Sequence, residues 1–335
     1  MALASFYNMR TQWFPPVPTF TENEVLSQNG RVFIVTGGNA GVGFELIKML
    51  YTTGATIYMA SRSKDKADKA IESITSAKPA PENPGNIKFL HLDLNDLENV
   101  KSAASVFAQQ ESRLDILWNN AGTGALGVEV GAGTKQGFEP MIGMHCIAAQ
   151  LFTTLLLPQL RVAVSTASKG SVRVVWTSSF LGDSASPANG IDFSVLENGT
   201  SDRTKNYAVS KVGNWLLGHE MALRYGSEGI VSVTQNPGNL KAGSYAGTPA
   251  VAMLLINRVL HDPKYGGYTE LYAGLSPDIS LKNNGAYVIP WGRIRPAEDC
   301  PRKDILKALE TEANGGLAYA AKFWNWCEEK SRPAV

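Results

Sequence analysis

Short apolar runs alternate along this chain with segments in which apolar positions recur at helical spacing. Arg31–Thr36 (RVFIVT) is a β-branched run bounded by glycine, the pattern of a strand buried on both faces. Gly43–Thr53 then reads as a helix, Thr56–Ser61 as a second strand and Lys64–Ala77 as a helix with one polar face. Lys78–Asn86 (KPAPENPGN) is a loop on its proline and glycine content. The alternation continues with a strand at Ile87–His91, a helix at Leu97–Glu111, a strand at Ile116–Asn119 and a mainly helical stretch over Gly137–Leu160. A fifth strand at Val172–Ser178, a helix at Tyr207–Tyr225 and a sixth strand at Ile230–Asn236 complete the series. Strands and helices in this order predict an α/β fold: a doubly wound parallel sheet in a three-layer αβα arrangement.

The rhythm breaks after Pro237-Gly238. Residues 241–285 are rich in Gly, Tyr, Asn and Pro, and 239–285 are expected to cover a ligand, because ligands bind beyond the carboxyl ends of the strands. Gly243, Gly247, Gly266 and Gly267 are the candidate hinges of such a lid. Met253, Leu254, Leu255, Tyr265, Tyr268 and Tyr272 are candidate pocket walls, with ordinary packing the alternative for each. Ala286–Pro290 predicts a last edge strand, and Lys303–Glu312 and Leu317–Lys330 predict C-terminal helices. Residues 1–29 form an N-terminal arm in which Phe6, Trp13, Phe14 and Phe20 surround Pro15, Pro16 and Pro18. Residues 30–335 are then expected to form one domain.

The chain has 335 residues, enough for a sizeable core. Its formal net charge is +1 with no long basic run, so nucleic acid and anionic membrane are not expected partners. No window of 18 uninterrupted apolar residues occurs, and no membrane span is expected. Cys146, Cys300 and Cys327 are few and lack metal-ligand spacing, which fits a reducing compartment, and a cytoplasmic enzyme without a metal is expected. Charged residues are only 18% of the chain, which suits a well-buried enzyme with an apolar small-molecule pocket.

The candidate chemistry lies in two places. Thr36-Gly37-Gly38-Asn39-Ala40-Gly41-Val42-Gly43 joins the first strand to the first helix. Gly37, Gly41 and Gly43 permit a tight turn and close approach of a pyrophosphate to the helix N-terminus, whose N–H groups and dipole favour anions. The second strand ends in Met59-Ala60-Ser61-Arg62-Ser63-Lys64, with no acid to take a ribose 2′-hydroxyl. Arg62 can instead pair with a 2′-phosphate, assisted by Ser61 or Ser63, so the expected cofactor is NADP rather than NAD. Asp93, beside Leu94 at the end of the third strand, can accept from an adenine amine. Asn120, Ala121 and Gly122 end the fourth strand with small residues that let the chain pass close to a ribose. Ser178-Ser179 closes the fifth strand, and Tyr207 stands one helical turn before Lys211, a phenol beside a fixed cation.

In this order, from Arg31 to Leu240, these motifs resemble the short-chain dehydrogenase/reductase family, whose fold is a Rossmann domain. The Asn39-containing turn, Arg62 and the long gap before Tyr207 look most like its retinol-dehydrogenase-like branch. The arm and the NGAYVIPWGR and KFWNWCEE segments look like fungal members of secondary-metabolite pathways. The resemblance implies that Tyr207 is the general acid of carbonyl reduction and that Lys211 holds the nicotinamide ribose and lowers the phenol from its ordinary pKa of about 10. It implies that Ser179 orients the substrate oxygen, with Ser178 the runner-up. The Asn236-Pro237-Gly238 loop would lie beneath the nicotinamide, with the Leu240 backbone at its carboxamide. Three departures accompany the match: His145 stands where an Asn often supports a proton relay, Ala242 replaces a usual Thr, and Ser179 and Tyr207 are unusually far apart. His145 either bonds the same water or carbonyl or is a plain helix residue. The implied activity is NADP(H)-dependent reduction of a ketone, or oxidation of an alcohol, on a small apolar metabolite. The rivals are a cofactor-binding protein without redox work and a redox-neutral isomerase or cyclase. Many relatives dimerise through the helices bearing His145 and Tyr207, which leaves a monomer or a homodimer as the expectation.

Overall fold

The β-branched runs at the centre of the chain's pattern become strands because both their faces are covered, as at Val32–Thr36 and Arg173–Thr177, whereas Asn86–His91 is only partly covered. In the computed structural model, which describes residues 10–242, 253 and 257–332, they form one eight-stranded sheet of order β3-β2-β1-β4-β5-β6-β7-β8. The strands are β1 (Val32–Thr36), β2 (Thr56–Ser61), β3 (Asn86–His91), β4 (Ile116–Asn119), β5 (Arg173–Thr177), β6 (Val231–Gln235), β7 (Tyr287–Ile289) and β8 (Arg293–Ile294). All neighbours pair in parallel except β7 and β8, which are antiparallel. The order reverses between β1 and β4, and the switch point opens a crevice at the carboxyl ends of these strands.

Helices cover both faces. On one side lie α1 (Gly41–Leu50), α2 (Lys64–Thr75) and α8 (Pro263–Leu275), with a core of Phe33, Val35, Leu46, Ile47, Trp118 and Leu271. On the other lie α3 (Leu97–Gln110), α4 (Ala148–Leu155), α5 (Leu157–Thr166) and α7 (Arg203–Tyr225), packed on Ile34, Leu117, Val174 and Trp176. The short α6 (Phe180–Ala185) follows β5, and α9 (Lys303–Leu309) and α10 (Tyr319–Ser331) end the described chain. Fully buried Phe323, Trp324 and Cys327 seat α10 on α7 and α4.

Several elements differ from the sequence expectation, each for a local reason. The stretch expected to be mainly helical over Gly137–Leu160 begins its helix at Pro140, passes through a π-helical turn at Gly143–Ile147 and breaks at Leu156, where Pro158 opens α5. The helix expected from Tyr207 starts at Arg203, because the Asp202 carboxylate accepts the Thr204 and Lys205 amides. The strand expected at the sheet edge is β7, and the antiparallel β8 lies outside it.

The largest correction falls in 239–285. Asp262 caps and Pro263 opens a helix, α8, that is buried all round and therefore shows no amphipathic signal. Gly266 and Gly267 are not hinges but contact positions. A methyl on Gly267 would stand 3.1 Å from Met49 Cε and 3.3 Å from Glu45 Cβ, so glycine lets α8 lie against α1. Tyr268 and Tyr272 are buried in the core rather than lining a pocket, and Tyr265 stacks on Trp291 at 4.3 Å. Gly243, Gly247, Leu254 and Leu255 lie outside the described residues.

Candidate active site

The glycine turn is shaped as its residues demand. Gly37 and Gly41 have φ of +68° and +58°, values that disfavour a side chain. A methyl on Gly43 would come within 2.6 Å of Asn120 Nδ2 and 2.7 Å of the Gly37 carbonyl oxygen. The turn is tied to the end of β4. Asn120 Nδ2 donates to the Thr36 carbonyl at 2.8 Å, and the Ala121 amide donates to Thr36 Oγ1 at 2.9 Å. Asn39 lies between the two glycines, and α1 opens at Gly41 with no side-chain cap, which leaves its first amides at the crevice. The Val42 side chain packs toward Gly266, so only its backbone can face a ligand.

Ser61, the last residue of β2, is buried and its Oγ has no hydrogen-bond partner. Arg62 is exposed and makes no ion pair among the described residues, whereas Lys64 pairs with Asp68. Ser63 caps α2. An unpartnered hydroxyl, an unpaired guanidinium and a helix N-terminus therefore meet at one strand end, a donor set that fits a phosphate monoester. At the end of β3, Asp93 Oδ1 accepts the Asn95 amide at 3.0 Å, an ordinary turn bond, and the Leu94 side chain enters the core.

The chemical residues converge at the ends of β4 and β5. Tyr207, 8% exposed, and the buried Lys211 share one face of α7, with the Lys211 ammonium 5.6 Å from the phenol ring centre. Lys211 Nζ donates to the Thr177 carbonyl at 3.0 Å, and Asn214, three residues on, donates to the same oxygen at 2.9 Å. Burial lowers the Lys211 pKa to about 8. Gly122 brings the β4 end against this group: a methyl there would stand 3.3 Å from Lys211 Nζ and 3.1 Å from His145 Nε2.

His145 sits in the π turn, its ring 6.1 Å from that of Tyr207. The Thr123 amide donates to its Nε2 at 3.0 Å, which makes Nδ1 the protonated nitrogen, facing Ser210 Oγ at 2.9 Å. Ser210 Oγ in turn donates to the Tyr207 carbonyl at 2.7 Å. Burial, then the Lys211 charge, holds the imidazole well below its ordinary pKa, so it is neutral.

The two serines differ. Ser178 Oγ is buried and donates to the Lys211 carbonyl at 2.7 Å. Ser179 is half-buried at the start of α6, and its Oγ accepts the Leu181 amide at 3.3 Å. Beyond them Gly238 turns at φ +97°, with its amide on Asn236 Oδ1 at 3.1 Å, and Pro237 precedes it. Leu240 is buried and bridges His261, and Ala242 Cβ lies 3.7 Å from a methyl built on Gly41.

Sequence reasoning missed Thr177, Asn214 and Gln12. Asn214 lies one turn after Lys211 on the same helical face, a spacing that could have drawn attention to it. Thr177 acts through its backbone, and Gln12 reaches Asn236 across 224 positions, so neither leaves a local signal.

The short chain dehydrogenase family profile matches residues 31–191. A short-chain dehydrogenase/reductase of Pestalotiopsis fici, iacJ, is 49% identical over 99% of this chain and 100% of its own length. Another, bet4 of Neocamarosporium betae, is 42% identical over 96% of this chain and 92% of its own. Among solved structures, an uncharacterized protein from Mycobacterium paratuberculosis superposes with a TM-score of 0.66 at 25% identity, over 93% of this chain and 97% of that one. With a Rossmann-type sheet, a phosphate turn at its switch point and a Tyr207/Lys211 pair beside β5, the chain belongs to the short-chain dehydrogenase/reductase family of nicotinamide-dependent oxidoreductases.

Proposed function

We propose that the chain is an NADP(H)-dependent reductase of a ketone on a small apolar metabolite in a fungal biosynthetic pathway. The observation that carries it is the buried Tyr207/Lys211 pair, with Lys211 fixed on Thr177 and flanked by Gly122. The bound nicotinamide supplies the hydride. Tyr207 donates its phenol proton to the carbonyl oxygen, and the Ser179 hydroxyl, whose proton is still free to donate, orients that oxygen. Ser178 is unsuited to this, because its proton lies on the Lys211 carbonyl. Lys211 has further N–H donors for the ribose hydroxyls. The turn at Gly37 and the amides from Gly38 through Gly43 hold the pyrophosphate, the Gly37 amide itself lying on the Ala60 carbonyl at 2.8 Å, while Ser61 and Arg62 hold the 2′-phosphate and the unbonded oxygen of Asp93 and the Leu94 amide take the adenine. Asn120, Ala121 and Gly122 keep the ribose passage narrow. Pro237, Gly238 and the Leu240 backbone support the carboxamide. His145 is a positioning residue: both ring nitrogens are occupied, one on the Thr123 amide and one on Ser210, so it fixes the β4 end against α7.

One-for-one conversion of NADPH and ketone to NADP and alcohol, across a panel of aryl and alkyl ketones, tests this assignment. Stoichiometric NADPH binding without turnover of any of them, or product formation without NADPH consumption, overturns it.

The N-terminal arm supports an apolar substrate. Asn236 Nδ2 donates to Gln12 Oε1 at 3.0 Å, the Trp13 carbonyl meets His261 Nε2 at 3.0 Å, and the Trp13 ring lies edge-on to Phe180, beside Ser179, at 6.0 Å. The arm is thus tied next to Ser179, through Phe180, and to the segment after β6, through Asn236. An edge-to-face aromatic contact contributes about 0.5–1.5 kcal/mol beyond burial. Trp13→Ala is expected to raise KM for the ketone about 2- to 10-fold and to leave the NADPH dissociation constant unchanged. An unchanged ketone KM would reduce the arm to packing. The cover of α10 over α4 and α7 supports a monomer rather than a homodimer through those helices, and light scattering reads this directly.

A further inference from the structure

Behind Lys211, on the other face of the sheet, lies a carboxyl group for which the chemistry above has no use. Glu270 is in the middle of α8 with no exposed surface. Its Oε1 accepts from Thr177 Oγ1 at 2.8 Å and from Gln235 Nε2 at 2.7 Å. Gln235 Nε2 also reaches Thr177 Oγ1 at 2.9 Å, and Trp118 Nε1 donates to the Glu270 carbonyl at 2.9 Å. Two buried atoms of this cluster have no partner, Glu270 Oε2 and Gln235 Oε1. Both are acceptors when Glu270 is ionised, and buried acceptors without donors are costly. One proton on Glu270 Oε2 supplies the missing donor. The acid and the amide can then bond reciprocally, N–H to carboxyl oxygen and O–H to amide oxygen.

Thr177 links this cluster to the site. Its side chain is held by Glu270 and Gln235 on one face of the sheet, and its carbonyl is the acceptor for Lys211 and Asn214 on the other. We propose that Glu270 is a positioning residue: as a neutral acid paired with the Gln235 amide, it fixes Thr177 under the Lys211 ammonium and leaves that cation without a carboxylate partner. The proposal rests on the assignment of Tyr207 and Lys211 above. An ionised Glu270 would share the Lys211 charge and weaken its action on the phenol.

The surroundings agree. Burial raises the Glu270 pKa to about 8, opposed by the Thr177 hydrogen bond and the Lys211 charge. The groups presented by β4, β5 and β6, Trp118, Thr177 and Gln235, carry no charge. Glu45 of α1 lies against Gly267, and Arg173 of β5 bonds the Ala273 carbonyl, each about one turn away along α8. On the far side of Lys211, His145 is held neutral and the Cys146 thiol is pushed up by burial, so neither neutralises the ammonium.

The sign of the linkage gives a test that needs no turnover. The Glu270 pKa is raised in the folded chain, so its contribution to stability is complete below about 4.5 and is lost as pH rises to about 8. Glu270→Gln cannot ionise, yet its amide can donate to Gln235. The wild-type Tm should therefore fall relative to that of Glu270→Gln between about pH 5 and 8. An infrared carboxylic-acid band at pH 6, present in the wild type and absent from Glu270→Gln, should report the same proton. In the wild type labelled with carboxyl-13C glutamate the band should fade toward pH 9, which keeps the test valid if the variant does not fold. For positioning, Glu270→Leu should lower kcat about tenfold, and Glu270→Gln should recover most of that loss while taking one of two ionisations near pH 8, that of Glu270 and not that of Lys211, out of the kcat profile. No acid band, a constant Tm difference, or equal losses in Gln and Leu would overturn the proposal. Failure of the reductase assignment would show separately, as absent NADPH oxidation by the wild type with the acid band intact.

Discussion

Tyr207→Phe is expected to bind NADPH as the wild type does and to turn over at least about 100-fold more slowly, the lower end of what a positioned general acid contributes. The ring lies in the second turn of α7, buried between the His145 ring and the Lys211 ammonium. Phenylalanine fills the same volume and keeps both contacts, so only the proton donor is removed. Lys211 keeps its bond to Thr177, which does not involve the phenol, and the Gly37–Gly43 turn is distant in sequence and separately tied to β4. Cofactor affinity is therefore the internal control. A fall in both affinity and turnover would indicate a disturbed α7, and near-normal turnover would remove Tyr207 from the chemistry. Single-turnover measurement separates the chemical step from product release.

What was legible in the sequence follows from how local the cause is. Each early strand is a β-branched run with its own boundary signals, and each phosphate-turn glycine answers a local need, a positive φ or a close neighbour, so strand order and turn could be read together. The same residue type misled at Gly266 and Gly267. There the need is not backbone freedom but the approach of α8 to α1, two segments more than 200 positions apart, and sequence shows the glycine without the partner. Buried on all sides, α8 has no polar face to give it a period. The two serines are a finer case. Both sit at the end of β5, and only the bond from Ser178 to the Lys211 carbonyl, across 33 positions, separates them. Glu270 was invisible for the same reason: a lone glutamate in a glycine- and tyrosine-rich stretch becomes informative only when Thr177 and Gln235 are seen to close on it.

The end of β2 sets the second large effect. Wild-type protein is expected to prefer NADPH over NADH, and Arg62→Ala to lose most of that preference through weaker binding of NADPH alone. A charge-assisted hydrogen bond contributes about 1.5–3 kcal/mol, or about 10–150-fold in affinity. Arg62 is exposed, so screening by solvent puts the expected loss toward the lower end of that range and makes it salt-dependent. Its charge is available, since no carboxylate pairs with it among the described residues, unlike the neighbouring Lys64, which is held by Asp68 at 2.7 Å. Ser61 Oγ, buried and unpartnered, and the α2 N-terminus behind Ser63 add donors that a 2′-hydroxyl would not need. Titration of both cofactors into the wild type and Arg62→Ala at low and high salt checks this. NADPH affinity should fall and flatten against salt in the variant, while NADH affinity stays where it was. Equal affinity of the wild type for the two cofactors, or a parallel loss of both in Arg62→Ala, would mean that the strand end holds the adenosine ribose without reading its phosphate.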